Sequence, residues 1–337
     1  MLPGGHSDYR STDAGGNDLS NTTYHTNLTN RVWSFDLRSR QWNDYTSGIE
    51  VQSVGAAVAF DTERQVGWYY GGFDMPRQFV YEDPFKVEVG SFSALHDLYK
   101  FDRGIGTPGT SLALAATVAH GELVYIKGVG KAGILVLIGG NAGTLGSQLV
   151  SMVTKAKVVP FPLPFSTNTL LQRSMKFVHV FDIATQTWFS QSTTAEREFQ
   201  PSGREQFCSV AASAEDNSSH NIYIYGGRTS SGDTSNEVFI LTLPAFHWVS
   251  VYPSTEDNSN TSIRLTYSHR CQKIHEKHMV AYRGTTDSNT CDSDKELKKF
   301  QGIAIYDMSS LTWTTRVELE NQKYLVPQVL FEIIGGK

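Results

Sequence analysis

Hydrophobic positions in this chain come in short runs of β-branched and aromatic residues that end at glycine pairs or at an aspartate. The clearest case lies between Asn221 and Trp248: an apolar run Ile222-Tyr223-Ile224-Tyr225, the pair Gly226-Gly227, a polar loop, a second run from Val238, and a tryptophan. The succession returns elsewhere. Gly71-Gly72 precedes Leu98-Tyr99-Lys100-Phe101-Asp102, and Gly139-Gly140 precedes Val178-His179-Val180-Phe181-Asp182 with Trp188. Its second half occurs as Val32-Trp33-Ser34-Phe35-Asp36 with Trp42, and as Ile303-Ala304-Ile305-Tyr306-Asp307 with Trp313. Asp36 to Trp42, Asp182 to Trp188, Asp307 to Trp313 and Thr242 to Trp248 are each six residues apart. A fixed interval beside loops of variable length is the signature of a structural repeat.

Each part of the repeat has a physical role. The apolar runs read as strands buried on at least one face. Glycines without Cβ let the backbone leave such a strand at positive φ and close to its neighbours. An aspartate after the aromatic can accept hydrogen bonds from backbone amides ahead of it, which favours a short turn into the strand bearing the tryptophan. The indole then supplies apolar area for packing one unit on the next. One unit is therefore a four-stranded sheet with two faces to bury, and radial stacking of such sheets makes a propeller.

Gly-Gly, aromatic-Asp and Trp in this order resemble the kelch repeat, and the chain resembles the fungal kelch-repeat propeller proteins often labelled galactose-oxidase-like. Local matches are Gln206-Phe207-Cys208-Ser209-Val210, Asn221 to Gly227, Leu243-Pro244-Ala245-Phe246-His247-Trp248, and the tail from Tyr324-Leu325-Val326-Pro327 to Ile334-Gly335-Gly336. The resemblance implies an all-β, kelch-type β-propeller of four-stranded antiparallel blades, five visible here and a sixth in a full-length chain. Trp42, Trp188, Trp248, Trp313 and the glycine pairs 71–72, 139–140 and 226–227 are the expected blade-packing residues. Two units depart from the pattern: Arg283-Gly284 replaces Gly-Gly in the last, and Pro108 stands where the tryptophan of the Asp102 unit would fall. The family usually has a further blade and a secretion signal upstream and often continues toward a membrane anchor. Gly4-Gly5 resemble the middle of a unit, so a single domain over residues 1–337 without its first strands is expected. Strand-like Val329 to Ile334 is expected to pair with the open unit.

Composition narrows the function classes. Lys+Arg 29 against Asp+Glu 34, with pI near 6.1, leaves no electrostatic footprint for nucleic acid. The longest apolar run, Gly133 to Ile138, is too short to span a bilayer and reads as a buried strand. Asn21, Asn27, Asn217 and Asn260 begin glycosylation acceptor triplets in polar stretches, which favours a secretory history.

Two insertions stand out for their aromatics. Residues 73–94 carry Phe79, Tyr81 and Phe85, and residues 141–175 carry Phe161 and Phe165. Connections between the second and third strands of a blade emerge on one face, so both insertions share it. They form the candidate binding loops of a recognition surface; the alternative is that these aromatics only cover the propeller.

Three cysteines are too few for a disulfide framework. Cys271 and Cys291 fall in the same unit and are expected to pair, in keeping with an oxidising compartment. Two free thiols in a cytosolic protein remain the alternative. Cys208, between Phe207 and Val210, reads as a small buried hydrophobe.

Catalytic patterns fail. Gly128-Val129-Gly130-Lys131-Ala132-Gly133 lacks the Ser or Thr of a phosphate loop and reads as a turn. His275 and His278 fall on opposite sides of a strand, and Lys273, Glu276 and Lys277 around them read as a solvated edge. A radical-copper oxidase needs two Tyr and two His, one Tyr cross-linked to Cys; Cys208, Tyr223, Tyr225, Tyr267 and His269 are ingredients without a recognisable site. The expected function is a non-enzymatic scaffold of the secretory pathway or cell surface, without cofactor or metal, that binds a protein or glycan partner through its long loops. The alternatives are the copper oxidase and an intracellular kelch adaptor.

Overall fold

The computed structural model describes residues 2–3, 31–36, 38–46, 53–61, 63–64, 66–74, 98–102, 105–106, 118–142, 171–196, 200–251, 254–255, 267–282, 284, 303–314, 316–317 and 323–334. They fall into two compact units, Met1–Ala119 with Ala142–Leu171, and His120–Asn141 with Gln172–Lys337.

The first unit holds two sheets. In one, β1 (Leu2–Pro3), β2 (Arg31–Asp36) and β3 (Gln41–Thr46) pair antiparallel in that order. The other follows β4 (Ser53–Val54) and runs β5 (Ala57–Asp61), β6 (Val66–Tyr70), then, after β7 (Phe73–Asp74), β8 (Leu98–Asp102) and β9 (Ile105–Gly106). β4 and β7 pair with each other as a short ribbon.

The second unit holds three successive blades, here blades A, B and C. Blade A is β10 (Glu122–Ile126), β11 (Ile134–Ile138), then, past β12 (Asn141–Ala142) and β13 (Leu171–Gln172), β14 (Phe177–Asp182) and β15 (Thr187–Ser192). β16 (Thr194–Ala195) and β17 (Arg204–Glu205) lead to blade B: β18 (Cys208–Ser213), β19 (His220–Tyr225), then, past β20 (Arg228–Thr229), β21 (Val238–Leu243) and β22 (His247–Val251). β23 (Ser254–Thr255) leads to blade C, made of β24 (Arg270–Ile274), β25 (His278–Tyr282), β26 (Ile303–Asp307) and β27 (Thr312–Thr314). Neighbouring strands within each blade are antiparallel.

Alternation explains why the middle strands of blade B are buried throughout. Ile222, Ile224, Phe239, Leu241 and Leu243 share one core with Val124, Ile134, Val136 and Val178 of blade A. Tyr223, Tyr225, Val238 and Ile240 point the other way, into a core with Met279, Ala281, Tyr306 and Trp313 of blade C. A strand with period-2 side chains and apolar residues on both faces is what a middle blade requires.

The six-residue interval is a turn geometry. Asp182 Oδ1 accepts from Ala184 N at 2.8 Å and Thr185 N at 3.2 Å, and Asp307 Oδ1 accepts from Ser309 N and Ser310 N at the same two distances. Four residues after Asp36, Asp182, Thr242 and Asp307 the backbone enters the left-handed region, at Arg40, Gln186, Phe246 and Leu311. The tryptophan follows two residues later.

Trp248 and Trp313 each reach back onto the preceding blade. Trp248, wholly buried, donates its Nε1–H to Met175 O at 3.0 Å, and the Trp313 ring lies 4.8 Å from that of Tyr225. A parallel strand flanks each, through Ala195 opposite Trp248 and Thr255 opposite Trp313. Trp188 is half-buried, with its ring 5.0 Å from Phe181. Trp42 departs from the expected packing: it is 59% exposed.

The tail also differs from expectation. Residues 329–334, read as a strand, belong to α1 (Gln328–Ile334). Pro327 presets the first turn, with Leu330 N donating to its carbonyl at 2.9 Å, and Val326, Val329, Leu330 and Ile333 recur at helical spacing against the core between blades B and C. The run Gly128 to Gly133 occupies the β10–β11 turn, and β11 behind it is buried at every position.

Candidate functional site

The first strands of the three blades, β10, β18 and β24, lie side by side, with β18 in the middle. Two residues before each, the chain takes a left-handed conformation, at His120, Gln206 and Ser268, with φ of 57°, 56° and 56°. At Gln206 and Ser268 this turn aims the amide at the preceding blade. Gln206 N donates to His120 O at 2.9 Å and Ser268 N to Gln206 O at 2.8 Å, while the Ser268 hydroxyl donates to Gln206 Oε1 at 2.9 Å. Backbone groups that no sheet ladder satisfies thus bond in sequence from blade to blade.

The glycine pairs close against the same segment. Gly140 N donates to Arg204 O at 2.9 Å, and a Cβ on Gly139 would stand 2.9 Å from that oxygen and 2.8 Å from the Phe207 ring. Only glycine fits there. Beside it, Asn141 Nδ2 donates to Glu205 Oε2, and His120 Nδ1 lies 3.1 Å from the same oxygen. Asn141 and Glu205 are buried, and Asn141 Oδ1 has no hydrogen bond. Arg204 is buried as well, donating to Gly226 O at 3.2 Å and covering the Phe239 ring; burial draws its pKa down to about 10 against the opposing charge of Glu237. These polar groups join the Gly-Gly exit of one blade to the first strand of the next. None was singled out by the sequence reading, although Arg204-Glu205 directly precede the matched Gln206-Phe207 segment.

Further along the strands, Glu122 gathers all three. Its Oε2 accepts from Ser209 Oγ of β18 at 3.0 Å, and its Oε1 is 3.5 Å from Arg270 Nη1 of β24. Burial pushes its carboxyl up to about 7, with the charge of Arg270 and then the Ser209 hydrogen bond pulling the other way.

Next to this cluster a disulfide joins Cys208 to Cys271, with Cα atoms 5.4 Å apart. This corrects the expected Cys271–Cys291 pair. Cys271 finds its partner across the blade boundary because β18 and β24 are adjacent, whereas membership of one repeat unit does not bring two residues together. Cys208 is accordingly half of a cross-blade staple rather than a lone hydrophobe. Aligning the units would have revealed it, since both cysteines lie at the start of a blade's first strand. His269 sits beside them, its Nε2–H donated to Tyr225 O at 3.1 Å, and burial lowers the imidazole pKa to about 4. A ring nitrogen of His269 and the two sulfurs lie within 4.8 Å of one another, the one such group of potential metal ligands among the described residues.

The other singled-out residues make contacts within and between the blades. Tyr223 donates its hydroxyl to Met308 O at 2.8 Å and meets the Tyr324 hydroxyl at 2.9 Å, where Asn221 Nδ2 also donates. Tyr225 packs on His269 and Trp313, and the Tyr267 ring lies under the Arg228 guanidinium. The copper-oxidase arrangement does not fit these residues, because the Cys208 sulfur that a Tyr–Cys cross-link would use is bonded to Cys271. His275 turns the chain at φ 52°, and His278 is buried with Nε2 3.8 Å from Asp307 Oδ2. Lys277, read as part of a solvated edge, is buried: its ammonium reaches Asp307 Oδ2 at 2.8 Å, a partner supplied by the next strand.

Asn217 lies exposed in the β18–β19 turn at φ 58°. Phe79, Tyr81, Phe85, Phe161, Phe165, Asn21, Asn27, Asn260 and Cys291 lie outside the described residues. Among the described residues, no helix is long and apolar enough to cross a membrane.

With this geometry in view, comparison with known proteins shows what the chain is similar to. A kelch repeat-containing protein of the fungus Arthroderma benhamiae is 28% identical over 364 aligned positions, covering 90% of this chain and 48% of that protein. The chain therefore spans about half the length of the curated relative it matches. A solved structure titled "Structure of YjhT" aligns over 88% of this chain and 80% of its own, at 13% identity and a TM-score of 0.49. No family model matches. The fold is all-β, built from four-stranded blades of the kelch β-propeller type, and the chain is similar to a fungal kelch repeat-containing protein.

Proposed function

We propose that this protein is a non-enzymatic interaction scaffold that holds a protein or glycan partner in the long loops at the Gly-Gly ends of its blades. One observation carries the reading: chain length is concentrated in the connections between second and third strands and between one blade and the next, whereas the turns within the outer strand pair are short. Second and third strands are joined by residues 71–97, 139–176, 226–237 and 283–302, whereas third and fourth strands are joined by tight turns such as 183–186 and 308–311. A frame of constant turns with variable loops at one end is the usual division between packing and recognition. The hydrogen-bonded string from His120 through Gln206 to Ser268 fixes the lead-in of each first strand, which supports a rigid base for those loops.

Affinity then comes from a few aromatic anchors. In the full chain, Phe161→Ala with Phe165→Ala should weaken binding on glycan arrays and in cross-linking captures by about tenfold or more, leaving the melting temperature unchanged. A steep fall in melting temperature would make these residues core and sink the surface assignment. The Cys208–Cys271 disulfide and the exposed Asn217 side chain support a place in the secretory pathway or at the cell surface. Intact mass before and after glycosidase treatment of protein from its own host tests that placement; unmodified asparagines would favour the intracellular adaptor.

A further inference from the structure

The structure assigns a second state to the cross-blade staple: we propose that, once reduced, Cys208 and Cys271 together with His269 form a binding site for a thiophilic divalent cation such as zinc. Three residues from two blades converge here. Cys208 opens β18, Cys271 lies in β24, and His269 precedes β24 by one residue. Their ligand atoms already lie within 4.8 Å of one another. A tetrahedral zinc ion with Zn–S bonds of about 2.3 Å places two sulfurs about 3.8 Å apart, so a small separation of the sulfurs after reduction completes the distances.

The histidine is set up as metal-ligating histidines commonly are. A carbonyl can only accept, so the contact with Tyr225 O places the proton on Nε2, and the cation is assigned to Nδ1. Donation of the other ring N–H to a backbone carbonyl is the support that fixes the tautomer and orientation of a histidine ligand. The Tyr225 ring packs edge-on against the imidazole, with centroids 4.9 Å apart, and holds it in place. Cys208 and His269 are buried while Cys271 is half-buried, which gives a dry site with one open side. Water or a solute anion takes the fourth position.

The chemistry balances with an external dithiol as the two-electron reductant. A dithiol reductant gives two electrons and two protons to the Cys208–Cys271 bond, yielding two thiols and one oxidised dithiol. Cation binding then releases the two thiol protons to solvent. Both states tie β18 to β24, one covalently and one through the ion, so the blade boundary stays clamped on either side of the redox change.

Cobalt(II) is the probe, in the full chain carrying Cys291→Ser, which leaves Cys208 and Cys271 as the two cysteines. After reduction by a phosphine and anaerobic removal of excess reductant, cobalt should bind one ion per chain. The expected signs are a thiolate-to-cobalt charge-transfer band and tetrahedral d–d bands, both lost on adding zinc. The oxidised protein should show neither. Cys208→Ser with Cys271→Ser should abolish the bands, and His269→Ala should weaken binding by about tenfold or more. Circular dichroism confirms folding of each sample, and the comparison of reduced with oxidised parent stands even where a variant fails to fold. A folded, reduced parent without the charge-transfer band overturns the proposal. So does a reduced parent that unfolds and takes up no cobalt, or a folded His269→Ala protein that binds as tightly as the parent.

Discussion

Gly227 and Gly232 allow the close approach at the blade exit to be separated from backbone strain. Both take the same left-handed conformation, with φ of 88° and 87°. A Cβ on Gly232 would meet nothing nearer than the Arg228 guanidinium at 3.7 Å. On Gly227 it would stand 2.7 Å from Glu205 O, 2.8 Å from Phe207 Cβ and 3.1 Å from Phe207 N. Substitution by alanine costs about 1–2 kcal/mol of left-handed strain at either site, offset by about 0.4–1 kcal/mol from the stiffer unfolded chain. Gly232→Ala should therefore destabilise by about 1 kcal/mol. Gly227→Ala must also push aside backbone and the buried Phe207, which adds about 1–3 kcal/mol of overpacking. Equilibrium urea unfolding, followed by tryptophan fluorescence and far-ultraviolet circular dichroism, measures both. Equal destabilisation of the two variants, to within about 0.5 kcal/mol, would refute the role of close approach and leave φ alone as the reason for the glycine pair.

Other perturbations follow from burial, linkage and charge. Trp248→Ala should cost about 3–5 kcal/mol by urea unfolding, and the more exposed Trp42→Ala clearly less, by about 1 kcal/mol or more; similar values for both would undo the contrast in packing. Cys271→Ser, measured with chelator present, should cost about 4 kcal/mol, since the disulfide closes a loop with a sequence separation of 63; a loss below about 1 kcal/mol would show that the bridge does not constrain the unfolded chain. Glu122 binds its proton more tightly folded than unfolded, so the parent should lose stability as pH rises from about 4.5 to about 7, by up to about 3 kcal/mol relative to Glu122→Gln. Parallel stability profiles for the two proteins across that window would place the carboxyl in solvent.

The repeat was legible in the sequence because its parts are local. Strand periodicity, the demand for glycine at the strand exit, and an aspartate that bonds the amides two and three residues ahead all act within a few residues, so Asp182, Asp307 and the Gly-Gly pairs carry their meaning in the linear chain. The blades followed from that. The comparison with the fungal relative agrees with the repeat.

What tertiary structure alone decided are the partners across blades. Cys208 and Cys271 are 63 residues apart and meet because β18 and β24 are neighbours, while Lys277 is buried because Asp307 reaches it from the next strand. Glu122, Ser209 and Arg270 come from three blades. Trp42 and Trp248 share one motif, yet one is 59% exposed and the other wholly buried, so the motif alone does not set how deeply its tryptophan packs. Residues 329–334 carry apolar side chains compatible with either strand or helix, and the core between blades B and C selected the helix. Local chemistry sets the form of each unit; which residues meet depends on how the units stack, and that arrangement is written in distances through space rather than along the chain.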